Sequence, residues 1–139
     1  TEDKAVIEDF RIFGRDLGMA FQIRDDIIGT WCDTESTGKP QGSDIENKKK
    51  TLPVIYTFEN CSQDERSKLD EIYDKAALSR ADVEYVIKLM DSKGAYDYAV
   101  KTASKYEKNA LAALKRINLA SEAEEKILAL TDFLIKRDY

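Results

Sequence analysis

Asp25 and Asp26 stand side by side in the segment FQIRDDIIGTW, among apolar neighbours. Two adjacent carboxylates are costly to hold together unless something cationic binds them. Mg²⁺ is the natural candidate, because it takes one or two carboxylates and completes its shell with water and substrate phosphate. A loop carrying Gly38, Lys39, Pro40, Gly42 and Ser43 follows, then Asp44 and the lysine run Lys48, Lys49 and Lys50. In such a loop backbone N–H groups and an ammonium can both meet an anion, and lysines supply the charge that complements phosphate. The run stands just before a helix start at Thr51 and Pro53, where the N-terminus adds its own attraction for anions. Each piece has a plainer reading: a solvated acidic pair, an ordinary loop step, a solvated helix approach. Their order in one stretch is what points to a metal-bridged phosphate.

Composition narrows the chemistry further. There is no histidine, which removes Ser-His-Asp and Cys-His nucleophiles and most zinc sites. Cys32 and Cys61 form no CxxC pair and are too few for a disulfide scaffold, so a reducing, cytoplasmic setting is expected. The formal net charge of -5 argues against a non-specific nucleic-acid binder. No apolar run reaches bilayer length, and the opening TEDKAVIEDF has no signal-peptide stretch. Tyr96, Tyr98 and Tyr106 read as packing residues with a wet hydroxyl. Trp31 and Met19 read as core or cavity wall, and Cys32 as a passive thiol.

The elements that must position these groups are helices. The 139 residues, 42% hydrophobic and 35% charged with only 2 Pro and 6 Gly, suit a single helix-rich domain over residues 1–139. Val6, Phe10, Phe13, Leu17, Phe21, Ile28 and Trp31 predict one long helix with a buried stripe, joined by Ile7, Ile23 and Ile27. On it Gln22, Asp25, Asp26 and Gly29 share one side. Asp25 and Asp26 diverge by about 100° around the axis, so one could meet an ion directly and the other through water. A loop is expected from Asp33 to about Asn47. Helices follow over Pro53 to Glu59, over Gln63 to Asp74 behind a Ser62/Glu65 capping box, and from Ser79/Asp82 to about Gly94. A long helix through Tyr96, Tyr106 and Leu114 comes next. A last one, capped by Ser121 and Glu124, is expected to bury Ile127, Leu128, Leu130, Leu134 and Ile135. No stretch alternates at period two, so the expected class is all-α, a helical bundle.

The order GRDLGMAFQIRDDIIG…GKPQGSDIENKKKTLPVIY closely resembles the second half of the trans-isoprenyl diphosphate synthases, or polyprenyl synthetases. Gly14, the LGxAFQ run, Asp25 and Asp26, Asp33, Gly38-Lys39, Gly42, Asp44, Lys49 and Thr51-Leu52-Pro53 carry the match. Gly94, Ala95, the tyrosine-bearing helix and the closing FLIKRDY resemble the family's C-terminal helices. The likeness runs over essentially the whole chain and is most specific from Gly18 to Pro53.

The resemblance implies the C-terminal portion of the isoprenoid synthase fold and a homodimeric family. It also implies head-to-tail prenyl transfer: an allylic diphosphate ionises and isopentenyl diphosphate attacks the cation. Carried over, Asp25 would ligate Mg²⁺ and Asp26 would support it through water. Lys39 and Lys49 would hold the allylic diphosphate, and Phe21 and Gln22 would line its reacting end. Arg137 resembles the basic tail that reaches isopentenyl diphosphate. Two departures stand out. The family's second motif reads DDxxD, but its third position here is Gly29, and Cys32 replaces a glycine. Family members are also far longer, with a first aspartate-rich motif upstream that nothing here matches. The chain is therefore expected to be a C-terminal piece, inactive alone and prone to self-association. A truncated, non-catalytic homologue that tunes a complete synthase is the main alternative, and a terpene cyclase fits the motifs less well.

Overall fold

The apolar spacings become seven helices, and no strand occurs among the described residues. The structure is a computed structural model and describes residues 2–32, 38 and 40–135. In chain order the helices are α1 (Lys4–Trp31), α2 (Ser43–Glu46), α3 (Leu52–Asn60), α4 (Gln63–Asp74), α5 (Arg80–Ser92), α6 (Ala95–Ile117) and α7 (Ser121–Ile135). The chain divides into two compact units, residues 1–24 with 101–139, and residues 25–100. No helix of the described residues is long and apolar enough to cross a membrane.

In the first unit, α1 and α6 meet through small and aliphatic side chains. Ala20, Ile23, Ala103, Ala110, Ala113 and Leu114 are all buried. Ion pairs flank them: Arg116 donates from two nitrogens to one Asp9 oxygen, at 2.9 and 2.6 Å, and Arg24 reaches Glu107 at 3.3 Å. The expected stripe is only partly buried. Ile7 and Phe10 are exposed, and in α7 so are Leu128 and Leu130, while Ile135 and Thr131 are the buried positions; Met19, expected as core or cavity wall, is exposed as well. Periodicity fixes which residues share a helix face, but not how much of that face a neighbour covers.

The second unit has its own core of Ile45, Val54, Leu69, Ile72, Leu78, Val83, Val86, Ile87, Leu89, Met90 and Ala95. Truncating one of the fully buried aliphatics, such as Leu69, to alanine costs about 2–5 kcal/mol in sites of this kind. The capping boxes read at Ser62 and Ser79 form, whereas Ser121, expected as the cap of the last helix, is instead the first residue of α7. Ser62 Oγ accepts from Glu65 N while Ser62 N donates to Glu65, and Ser79 and Asp82 repeat the exchange. Each pair satisfies two backbone donors that a helix start leaves without partners.

The expected loop is also corrected. The loop from Asp33 to Asn47 is broken by the one-turn helix α2, while residues 33–37 and 39 lie outside the described residues. Gly42 makes α2 possible. Its φ of +80° is left-handed, and a Cβ there would lie 2.4 Å from Val83 Cγ1, so the chain can turn against α5 only as glycine. Arg80 secures the approach by donating to the Gln41 carbonyl at 2.7 Å.

Candidate functional site

Three segments of the second unit converge on one ammonium. The end of α1 brings Asp25 and Asp26, α2 brings Asp44, and the connection into α3 brings Lys49. Lys49 Nζ lies 3.0 Å from Asp44 Oδ2, 3.2 Å from Asp26 Oδ1 and 3.6 Å from Asp25 Oδ2. Backbone geometry ties Lys49 to Asp44, because Lys49 N donates to the Asp44 carbonyl at 2.8 Å. The α2 turn thus carries a carboxylate and an ammonium as one piece. Burial by itself would lower the lysine's affinity for its proton. The hydrogen bonds to Asp44 and Asp26, with their charges, outweigh burial and hold the ammonium above its ordinary pKa of 10.5.

The adjacent aspartates have different surroundings. The Asp25 side chain is 50% exposed and that of Asp26 only 7%. Asp26 Oδ2 accepts from the backbone N–H of Leu52 at 3.3 Å. Thr51, the N-cap residue of α3, makes no capping bond with its own side chain. Asp26 therefore caps α3 from another helix, where the helix dipole favours negative charge. Both Asp26 oxygens are engaged by protein groups, whereas Asp25 turns half its surface to solvent.

Position 29 has an unexpected neighbour. A Cβ on Gly29 would lie 2.5 Å from Cγ and Oδ2 of Asp44. The Asp44 carboxylate fills the space that a side chain at 29 would need, and Ser43 Oγ seals the contact by donating to the Gly29 carbonyl at 3.4 Å. The cluster thus has a third carboxylate after all, drawn from α2 instead of α1. Asp44 is visible in the sequence, but nothing local says that it folds onto Gly29.

The lysine run does not act as a patch. Lys48 has a left-handed φ of +53° and donates to the carbonyl of Lys75, at the C-terminal end of α4. Lys50 is exposed. Only Lys49 enters the cluster. Phe21, half-buried, and Gln22, exposed, lie in α1 and belong to the first unit. Lys39 and Arg137 lie outside the described residues.

All-carboxylate donors suit a hard cation such as Mg²⁺, and the Lys49 ammonium already stands among them as a positive charge. Among the described residues no three His, Cys, Asp or Glu side chains form a ready-made metal cage. A metal held here would need oxygen ligands from elsewhere.

A profile of the polyprenyl synthetases matches residues 1–90, which include this cluster. The chain belongs to the polyprenyl synthetase family. It is 38% identical over 126 residues to the geranylgeranyl diphosphate synthase of Sulfolobus acidocaldarius, covering 90% of this chain and 38% of that protein. A crystal structure of geranylgeranyl pyrophosphate synthetase from Pyrococcus horikoshii superposes with a TM-score of 0.88 at 36% identity, over 99% of this chain and 41% of that one. A geranylgeranyl pyrophosphate synthase from Corynebacterium glutamicum, complexed with isoprenyl diphosphate and magnesium, gives 0.83 at 25% identity over 98% of this chain and 39% of that one. The chain spans about two fifths of the length of the polyprenyl synthetases it matches.

Proposed function

We propose that this chain supplies one of the carboxylate sites of a polyprenyl diphosphate synthase, a prenyltransferase that condenses an allylic diphosphate with isopentenyl diphosphate. The observation that carries the reading is the Lys49 ammonium ringed by Asp25, Asp26 and Asp44 beside a half-exposed Asp25. Family membership and the synthase relatives support it.

In this reading Asp25 would hold Mg²⁺ and Asp26 would support it through water. When bound, the metal supplies positive charge against the diphosphate as its C–O bond breaks. Lys49 and Lys39 orient the same diphosphate and meet its growing charge, which is worth most where the donors are already in place. Phe21 and Gln22 face the reacting carbon, where a π face and an amide oxygen favour positive charge. Arg137 receives isopentenyl diphosphate. The residues form one functional domain in a cytoplasmic, homodimeric enzyme.

The chain alone is expected to show no prenyl transfer above background with geranyl diphosphate, isopentenyl diphosphate and Mg²⁺. Joined to a segment bearing a first aspartate-rich motif it should turn over, and Asp25→Asn should then lower kcat about 10²–10³-fold. Full turnover by the Asp25→Asn protein would end the assignment. Should the joined protein be inactive yet pull down a complete synthase and change its rate, the non-catalytic partner reading replaces it.

A further inference from the structure

We propose that Lys49 is the resident counter-ion of the carboxylate cluster and must leave it before a divalent metal can be held there, so that metal and diphosphate bind with positive coupling. The inference rests on the reading of Asp25 and Asp26 as a metal-bearing pair and adds to it the regulation of that site.

The geometry sets up a competition. Asp26 accepts the Leu52 N–H on Oδ2, and Lys49 stands 3.2 Å from its Oδ1. Asp44 presents Oδ2 to the same ammonium at 3.0 Å, and Asp25 presents Oδ2 at 3.6 Å. The ammonium thus lies against an oxygen of each carboxylate that a metal would use. A divalent ion placed among them would face a like charge at contact distance in a partly desolvated site, where such repulsion is weakly screened.

Lys49 is free to leave. Its side chain is 41% exposed, and its flexible four-carbon stem carries a compact charge. It leaves readily only if another anion receives it, and a diphosphate would be that anion. Metal alone then meets an occupied cluster, and diphosphate alone meets a lysine already satisfied. Each ligand removes the obstacle to the other, and linkage requires the two enhancements to be equal. Lys49 thereby enforces joint binding.

The test uses the 139-residue chain and Mn²⁺ as a spectroscopically visible substitute for Mg²⁺, with binding followed by electron paramagnetic resonance. Lys49→Met should bind Mn²⁺ at least ten-fold more tightly than the unmodified chain, and Asp25→Asn on that background should abolish the gain. Lys49→Gln provides a second neutral variant if Lys49→Met lacks the normal helical circular dichroism. In the unmodified chain, saturating inorganic pyrophosphate should tighten Mn²⁺ at least ten-fold after correction for the complex the two form in solution. The proposal is overturned if the folded neutral variants bind Mn²⁺ no more tightly, if the gain survives Asp25→Asn, or if pyrophosphate has no effect. Prenyl transfer by the joined protein without these gains would leave the enzymatic reading and remove the counter-ion. The gains without prenyl transfer would do the reverse.

Discussion

Asp26 and Asp25 look equivalent in the sequence, yet the structure gives them opposite dependencies. Asp26→Ala removes the cap of α3 and one partner of Lys49, and should lower unfolding free energy by about 1–3 kcal/mol. Asp25→Ala, half in water, should stay within about 0.5 kcal/mol of the parent. Urea denaturation of the two variants checks the contrast, and equal losses would contradict the burial difference. Gly29 gives a sharper case. Alanine in place of glycine inside a helix ordinarily gains about 0.5–1 kcal/mol, but here the added carbon meets the short Asp44 side chain. Crowding of that kind costs about 1–3 kcal/mol, so Gly29→Ala should melt lower. Combining it with Asp44→Ala should recover much of the loss, a non-additivity that thermal melts would reveal. For the same reason Gly29→Asp should not improve the site. The sequence showed the pair of aspartates and flagged Gly29 as a departure. It could not show that Asp44 covers the glycine or that Asp26 serves a helix start 26 residues away, because both depend on contacts between distant segments.

At the level of elements, legibility followed locality. The capping boxes at Ser62 and Ser79 are written in four consecutive residues each, and α4 runs over the expected Gln63–Asp74. The one-turn α2 was missed because its stability comes from Gly42 fitting against α5, not from its own four residues. Asp82 shows what a strong cap does to charge. The Lys75 ammonium at 2.7 Å, then the Ser79 backbone and hydroxyl, push the Asp82 carboxyl down to about 2 from its ordinary 3.8. A depressed carboxylate contributes stability that is fully present above the unfolded pKa and is lost as pH falls toward the folded one. Melting temperature should therefore fall between about pH 4 and pH 2, and Asp82→Asn should flatten that part of the curve. An unchanged slope would mean that the ion pair does not form in solution. Lys49 acts in the opposite range: its raised pKa gives stability present below 10.5 and lost as pH climbs above that.

For the whole molecule, the class was legible and the surface was not. Seven helices without a strand among the described residues agree with the all-α expectation. Ile7 and Leu130, at 51% and 56% exposure, show that helix periodicity overstated the core, and Phe133 in α7 is exposed as well. Apolar side chains left in water at this density favour contacts between copies. Light scattering should show an apparent mass that rises with concentration, and a constant monomer mass would count against it. The net charge of -5 is likewise a poor guide to behaviour. Lys48 goes to the end of a helix, Lys49 to the acidic cluster and Lys50 to solvent. Shuffling a neutral residue through those positions would give three proteins of identical composition and formal net charge. On the proposed reading only the protein neutralised at position 49 would lose its grip on pyrophosphate, and bulk charge measurements could not tell it from its siblings.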